Sequence, residues 1–386
     1  MPDLDAIIVG AGPAGCAAAI PLARAGHRVL LLEHRQVPRF NIGETLPPMA
    51  LGCAERLLGP LGAALADCSY ETRGNISIWG HESPAIQDFF FSPDGCGLCL
   101  DRGGFDHALR QAAEGAGAHL RSGAKVLECR WDAEKNQWAV SYQIGQQHHE
   151  ANGSFLLDAT GRRGEIARGL GMHYTTTDAL FAFAMSFGTT ADTDNDRFTR
   201  IEACPFGWWY SNALPGRSGE RIVVLHTDRD LPEAALARTP DGFLRLLGQS
   251  TMIREHLAAN GYGPMTSKLR GAAAGSDFLD GPQPEAFFAV GDAAQSLDPL
   301  SSQGLYQALQ SGSLAASNIR LALARNQSEA ATTHFRQMQS QVRAKYLREY
   351  CHFYEAERRW IQAPFWARRH RRTANIFQGS ARDALV

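Results

Sequence analysis

The stretch LDAIIVGAGPAGCAAAIPLARAGHRVLLLEH, residues 4–34, decides the fold of this 386-residue chain. It begins as an apolar run rich in β-branched residues, continues through GAGPAG into a helix-forming segment that ends at Gly26, and returns as a second buried strand that ends at Glu33. A glycine-rich turn between a strand and a helix predicts a site for the phosphates of a dinucleotide, because the free N–H groups at the start of the helix attract anions.

The spacing of the glycines gives each of them a separate task. Gly10 permits the tight turn, Gly12 lets the backbone approach a pyrophosphate, and Gly15 lets the helix pack closely on the strand. Glu33 follows Gly15 by 18 residues and is expected to accept hydrogen bonds from the two hydroxyls of an adenosine ribose. The predicted cofactor-binding residues of this segment are Gly10, Gly12, Pro13, Ala14, Gly15 and Glu33.

Composition and length set the class of protein. The chain has 44% hydrophobic and 20% charged residues and a net charge of -2, which is typical of a globular protein of two or three lobes and does not favour nucleic acid as a partner. Eight scattered cysteines form no disulfide or metal-binding framework, and we interpret the CxxC of Cys96 and Cys99 as structural. The uncharged residues 6–23 contain glycines and prolines, so we expect no membrane segment and a cytoplasmic protein. Because no second CxxC pair accompanies Cys96 and Cys99, we also expect no metal site.

Three further stretches combine a strand with a characteristic turn. LCLDRGGFDHALRQAAEGAGAHL (98–120) predicts a strand, a turn at Gly103–Gly104 and an amphipathic helix; SFLLDATGRRG (154–164) predicts a buried strand that ends in Asp-Ala-Thr-Gly. FFAVGDAAQSLDPLSSQGLYQALQSG (287–312) predicts a strand, a polar loop and a helix that opens near Gln303–Gly304. In this order the stretches resemble the FAD-binding fold of the aromatic hydroxylases, geranylgeranyl reductases and flavin-dependent halogenases.

The resemblance implies a mixed α/β (α+β) chain. A Rossmann-like GxGxxG FAD-binding domain would carry an inserted antiparallel-sheet substrate domain, which the alternating runs LFAFAMSFG and ERIVVLHT also predict, and a helical C-terminus. The predicted boundaries are 1–65, 98–169 and 269–325 for a discontinuous FAD-binding domain, 66–97 and 170–268 for the substrate domain, and 326–386 for the C-terminal helical region.

The same resemblance assigns further residues to FAD. Arg102 would lie near the adenosine and pyrophosphate end of FAD; the alternative is that it is a surface cation. Asp292 would bind the ribityl or pyrophosphate region; the alternative is that it caps the N-terminus of a helix, which is compatible with binding FAD. The loop from Pro299 to Gly304, which includes Ser302 and Gln303, would pass the isoalloxazine ring, where a helix N-terminus stabilises negative charge on reduced flavin.

Two signatures narrow the resemblance to the flavin-dependent halogenases and their monooxygenase relatives. NIGETLPP (41–48) is similar to the glycine–glutamate–proline signature of that branch, and GWWYSNALP (207–215) is similar to its tryptophan segment near the flavin. Both chemistries in the branch begin with reduced flavin and O2, which give a flavin hydroperoxide that survives only where water is excluded.

A lysine separates the two chemistries, because halogenases of this branch place one beside the substrate. Residues 36–124 contain no lysine, Lys125 and Lys135 belong to the predicted FAD-domain sheet, and Lys268 stays open. DPLSSQG keeps the halogenase length of the halide loop, but Gln303 replaces its usual small hydroxyl residue.

We therefore predict an FAD-dependent monooxygenase that hydroxylates an electron-rich aromatic compound. The signatures also resemble the flavoproteins of tryptophylquinone maturation, so an indole or tryptophan is the favoured substrate, as a small molecule or as a side chain of a partner protein. Electrons would come from NAD(P)H or a partner flavin reductase, and O2 would be the co-substrate. A flavin-dependent halogenase and a flavin-bound assembly protein without turnover are the alternatives.

Sequence patterns leave the catalytic residues less defined. Trp208 and Trp209 are expected either to pack a core or to wall the flavin cleft. The basic C-terminal run of Arg368, Arg369, Arg371 and Arg372 is expected either to pack against the lobes or to dock an acidic partner. The candidates for catalysis are Glu44, Trp208, Pro299 and Gln303, with Arg73, His81 and His226 as further groups for proton handling.

Overall fold

The structure is a computed structural model that describes residues 4–36, 43–59, 62–89, 95–191, 194–216, 219–265 and 269–383. In chain order, the strands are β1 Leu4–Val9, β2 Val29–Glu33, β3 Thr45–Leu46, β4 Ser69–Thr72, β5 Gly74–Ile78, β6 Ala85–Asp88, β7 Gly97–Leu100, β8 His119–Ser122, β9 Ala124–Asp132, β10 Gln137–Ile144, β11 Gln147–Asp158, β12 His173–Thr176, β13 Leu180–Gly188, β14 Phe198–Cys204, β15 Gly207–Ala213, β16 Glu220–Asp228, β17 Gly263–Pro264, β18 Arg270–Ala273, β19 Asp277–Asp280, β20 Phe287–Ala289 and β21 Gln295–Ser296. The α-helices are α1 Pro13–Arg24, α2 Pro48–Leu58, α3 Gly62–Asp67, α4 Arg102–Gly115, α5 Glu165–Gly169, α6 Pro232–Leu236, α7 Pro240–Leu247, α8 Met252–Ala259, α9 Gly304–Arg325, α10 Ser328–Ala356 and α11 Pro364–Asp383.

The chain divides into two compact units, each discontinuous in sequence. The first comprises Met1–Cys68, Leu100–Thr176 and Ser276–Arg343, and the second comprises Ser69–Cys99, Thr177–Gly275 and Ala344–Val386. Helix α10 therefore contributes its N-terminal half to the first unit and its C-terminal half to the second.

A mixed sheet forms the centre of the first unit, in the order β8-β2-β1-β11-β10-β9, with β20 also paired to β11. Strand β1 is parallel to both of its neighbours, with Ile7 opposite Leu30 on β2 and Leu156 on β11. The strands of this parallel part read as continuous apolar runs because both faces of a parallel sheet are usually covered. The predicted mixed α/β fold is confirmed.

Helices α1 and α9 pack unusually closely because their facing residues are small. A Cβ added to Gly312 on α9 would lie 2.2 Å from the carbonyl oxygen of Ala14 on α1. A Cβ on Gly291 would lie 2.8 Å from the Ala14 Cβ. The alanine-rich sequence of α1 thus brings the loop after β20 and helix α9 next to the glycine turn that follows β1.

The second unit contains a mainly antiparallel sheet in the order β17-β13-β16-β15-β14-β5-β6, with β18 also paired to β13 and one parallel pairing, β14 with β5. Side chains from β13, β15 and β16 pack on one face against helices α6, α7 and α8. Phe183, Trp209 and Phe243 lie in this cluster. The strand patterns predicted the sheet, whereas the short helices between residues 232 and 259 were not foreseen.

The arginines of the C-terminal helix α11 are used inside the second unit. Arg369 is 1% exposed and donates to Asp228, which is also 1% exposed, with an Nη2–Oδ1 distance of 2.9 Å. Arg368 pairs with Asp228 and Asp230, and Arg372 lies 3.8 Å from Asp178. These ion pairs favour packing for Arg368, Arg369 and Arg372, whereas Arg371 is exposed, and docking of an acidic partner stays a prediction.

No helix among the described residues has enough length and apolar character to cross a membrane.

Substitution of Arg369 by methionine should destabilise the protein by about 3 kcal/mol, because the buried carboxylate of Asp228 loses a charged hydrogen-bond donor. Arg371→Met is the matched control, since Arg371 is exposed on the same helix. Denaturant unfolding of both variants measures the difference. Equal losses in the two variants would show that the buried ion pair contributes nothing specific.

Candidate functional site

The turn after β1 is built by two glycines that have no room for a side chain. Gly10 has a φ of +107°, and a Cβ added there would lie 2.3 Å from the carbonyl oxygen of Ala159. A Cβ on Gly15 would lie 1.9 Å from the carbonyl oxygen of Gly10. A Cβ on Gly12 would instead meet no atom within 4 Å, so open space lies at the N-terminus of α1. That space is where a phosphate would meet free N–H groups.

A cleft of about 870 Å³ adjoins this turn in the first unit. Its volume lies within the range of roughly 300–1,000 Å³ that is usual for small-molecule and cofactor sites. Four of the predicted cofactor residues line it, namely Gly10, Gly12, Pro13 and Glu33. The other lining residues include Arg35, Asp106, Arg110, Lys125, Thr160, Arg162 and Glu165.

Glu33 is held in place at the end of β2 by a cation that sequence reasoning missed. Its Oε2 accepts from Ala11 N at 2.9 Å and lies 3.4 Å from Arg110 Nη2, while its Oε1 accepts from Arg35 N at 2.9 Å. Arg110 also donates through Nε to the carbonyl oxygen of Ala11 at 2.9 Å. A carboxylate has about four acceptor positions, so these contacts leave room for roughly one ribose hydroxyl rather than the expected two.

Arg102 makes its contacts within the chain. Its Nε and Nη2 donate to the Asp106 carboxylate at 3.2–3.3 Å, and its Nη1 donates to the carbonyl oxygen of Gly43 at 3.0 Å. It is not among the residues that line the cleft, although its partner Asp106 is. Arg102 thus ties the segment before Glu44 to α4, and its predicted contact with the cofactor stays a prediction.

Asp292 lies in a 3₁₀ turn, Gly291–Ala293, and does not cap a helix. The N-cap alternative for this residue is therefore wrong. Its carboxylate lies 3.5 Å from Nε of Arg162, which lines the cleft and also donates to the carbonyl oxygen of Leu297 at 2.8 Å. This ion pair connects the Asp292 turn to the edge of the cleft.

The predicted residues from Pro299 to Gly304 form one tight turn at the N-terminus of α9. Pro299–Ser301 is a 3₁₀ turn whose preceding residue, Asp298, accepts a hydrogen bond from Leu300 N at 2.9 Å. Ser302 follows in the left-handed region with a φ of +51°, and Gln303 is the N-cap residue of α9. A Cβ on Gly304 would meet no atom within 4 Å, so this helix N-terminus also faces open space.

Trp208 and Trp209 lie on opposite faces of β15 because side chains alternate along a strand. The Trp208 ring is 1% exposed, stacks on His226 with a centroid distance of 3.7 Å, and donates through Nε1 to the hydroxyl of Tyr354 at 3.3 Å. Trp209 packs edge-on against Phe243. Both indoles therefore pack the interior of the second unit, and catalysis by Trp208 stays a prediction.

Glu44 is almost fully buried in the first unit, and its carbonyl oxygen accepts from Leu100 N at 2.7 Å. Of the other proton-handling candidates, Arg73 and His81 are exposed, whereas His226 is buried and stacks on Trp208 in the second unit. Burial therefore favours Glu44 and His226 over Arg73 and His81 for chemistry that requires exclusion of water.

One cluster in the second unit has the residue types of a metal site. Asp194, Asp196 and His256 bring potential ligand atoms within 4.8 Å of one another. Arg221 donates to Asp194 at 2.7 Å, and Arg200 pairs with Asp196. Because two guanidinium groups oppose a cation there, we interpret the cluster as an ion-pair network.

The glycine turn and Glu33 fit FAD, whereas Asp292 and the residues from Pro299 to Gly304 are not among the residues that line the cleft, and their contact with the cofactor stays a prediction. The open N-terminus of α1 suits the pyrophosphate, and the fixed Glu33 carboxylate suits a ribose hydroxyl.

Glu33→Gln should weaken FAD binding about tenfold, because a charge-assisted hydrogen bond to ribose is lost together with the ion pair to Arg110. Glu165→Gln is the matched control, since this half-exposed carboxylate lines the same cleft. Titration of the apoprotein with FAD, followed by flavin fluorescence, measures both affinities. An equal effect of the two substitutions would contradict the role of Glu33.

Comparisons with known proteins identify the family of the chain. The family model described as FAD dependent oxidoreductase matches residues 5–354. The putative FAD-dependent oxidoreductase LodB of Marinomonas mediterranea is 29% identical over 373 residues, which are 96% of this chain and 98% of that protein.

Solved structures show the same fold. The myxobacterial chondrochloren halogenase CndH matches with a TM-score of 0.82 and 25% identity, over 97% of this chain and 88% of that chain. The peptidyl tryptophan dihydroxylase QhpG matches with a TM-score of 0.70 and 23% identity, over 95% of this chain and 78% of that chain. The resemblance to the flavin-dependent halogenases and related oxidoreductases is confirmed, and the chain belongs to the FAD-dependent oxidoreductase family.

Proposed function

We propose that this protein is an FAD-dependent monooxygenase that hydroxylates an electron-rich aromatic ring, with an indole or a tryptophan side chain as the favoured substrate. The distribution of its lysines is the observation that carries the proposal against halogenation.

None of the described lysines belongs to a strand of the second unit's sheet. Lys125 lines the cofactor cleft of the first unit. Lys135 and Lys345 are exposed and pair with Asp132 and Glu349. The fourth lysine of the chain, Lys268, lies outside the described residues. All the lysines in the described part of the chain are therefore exposed. A halogenase of this branch would need a lysine beside its substrate, and none of the described lysines is buried in the second unit.

Bound and reduced FAD would supply the activation of O2. The chain's own residues would bind and orient the cofactor: the open N-terminus of α1 would hold phosphate, and Glu33, fixed by Arg110, would hold the ribose. The N-terminus of α9 at Gln303 and Gly304 stabilises negative charge through the helix dipole. Glu44 provides a buried carboxyl group for proton transfer.

The substrate class follows from one of the solved relatives. QhpG is by its description a peptidyl tryptophan dihydroxylase essential for tryptophylquinone cofactor biogenesis, and we extend its substrate type to this chain. The substrate is then either a small aromatic compound or a tryptophan in a partner polypeptide. NAD(P)H or a partner flavin reductase supplies the electrons.

Reaction of the FAD-loaded protein with O2, a flavin reductase, NADH and bromide should add oxygen and no bromine to an aromatic substrate. The panel contains indoles, phenols and tryptophan-containing peptides, and product mass with ¹⁸O2 identifies the source of the added atom. A brominated product would establish the halogenase alternative. Flavin reoxidation without any product in the panel and in a lysate of partner proteins would favour an assembly protein without turnover.

Lys268→Met should leave the yield of oxygenated product within about twofold of the unsubstituted protein, because hydroxylation requires no lysine to carry halogen. Lys135→Met, at an exposed position, is the control for loss of a surface charge. Product yield per NADH consumed is the measurement. A selective loss of product in the Lys268 variant would contradict the proposed role of the chain.

A further inference from the structure

A second cavity, of about 250 Å³, lies in the first unit and shares no residue with the cofactor cleft. One wall is a face of α10 formed by Arg336, Gln339, Ser340 and Arg343, which project on the same side because their spacing matches successive helical turns. The opposite wall includes Phe278 and Asp280 of β19 and Gln295 of β21.

The charges that line this cavity do not balance. Arg343 donates to Asp280 at 2.9 Å and stacks over Phe278 at 4.2 Å. Arg336 has no carboxylate within ion-pair distance among the described residues; its Nη2 donates to the carbonyl oxygens of Gln283 and Pro284 at 2.9 and 3.0 Å. Burial lowers the pKa of Arg336. Two guanidinium groups thus face one carboxylate, which leaves one positive charge uncompensated.

Two buried donors beside this charge have no acceptor. The Nε of Arg336 and the Nε2 of Gln339 are buried and make no hydrogen bond. The Oε1 of Gln339 accepts from Gln295 at 2.8 Å and from Gln307 at 3.3 Å, so its Nε2 points away from these two amides. An unsatisfied buried donor is costly, so the arrangement favours a ligand that brings oxygen acceptors.

We propose that this cavity binds a small oxyanion group, a carboxylate or a phosphate monoester, with Arg336 as its main partner. The volume lies below the roughly 300–1,000 Å³ of ordinary small-molecule and cofactor sites, so a single anionic group fits better than a whole nucleotide. The planar guanidinium fork matches the oxygen geometry of both anions. This inference does not depend on the proposed oxygenation reaction.

Calorimetric titration of the FAD-saturated protein with inorganic phosphate, and separately with acetate, tests the proposal. Saturation with FAD keeps the glycine turn at α1 filled, and constant ionic strength, maintained with chloride, keeps general screening the same at every anion concentration. We expect saturable binding of at least one anion. Phosphate binding alone would indicate a phosphate ester as the ligand, and acetate binding alone would indicate a carboxylate.

Arg336→Met should weaken this binding about tenfold, because the charge and its hydrogen bonds are removed. Arg348→Met is the matched control: it makes the same charge change at an exposed position of α10 and should change the affinity by less than about twofold. Absence of saturable binding in the unsubstituted protein, or equal affinities in the two variants, would overturn the proposal.

Gln339→Glu keeps the test informative if the Arg336 variant does not fold. The new carboxylate lies one helical turn from Arg336 and supplies the missing anion from the chain itself. We expect a higher melting temperature and loss of anion binding. Unchanged anion affinity in this variant would count against the site.

Discussion

A backbone contact between two turns constrains the rest of the first unit. Strand β1 runs parallel to β11 with Val9 opposite Asp158, so the residues that follow, Gly10 and Ala159, meet at the same edge of the sheet. Only a glycine with a positive φ can occupy the first position, because a Cβ would lie 2.3 Å from the Ala159 carbonyl oxygen. Helix α1 must then start close to the sheet, which requires Gly15. The side chains of α1 that face α9 must also be small, so that α9 can approach.

The parts of this arrangement that depend on local geometry could be predicted from sequence. Glycine spacing indicated the turn before α1, and the polar loop with Pro299 placed the start of a helix near Gln303–Gly304, where the structure has it. Alternation of apolar residues indicated the sheet of the second unit. In each case a few neighbouring residues carry the physical signal.

The parts that depend on distant residues could not be predicted in the same way. Arg110 pairs with Glu33 across 77 positions of the chain, and no pattern around either residue identifies its partner. Likewise, Arg369 belongs to a basic run that resembles a surface, yet its partner Asp228 lies 141 residues earlier. The tryptophan pair combines local and distant effects. Alternation along a strand places Trp208 and Trp209 on opposite faces, but only the structure shows that both side chains are buried.

The ion pair between Asp228 and Arg369 also bears on the order in which the chain can fold during synthesis. At roughly 5–20 residues per second, the ribosome adds Arg369 on the order of ten seconds after Asp228. Throughout that interval the sheet of the second unit lacks α11, so the nascent chain exposes to solvent or to a chaperone the Asp228 carboxylate and apolar surface that are buried in the folded protein. The first unit includes residues up to Arg343 and the second includes α11, so each unit is complete only after those segments have been synthesised.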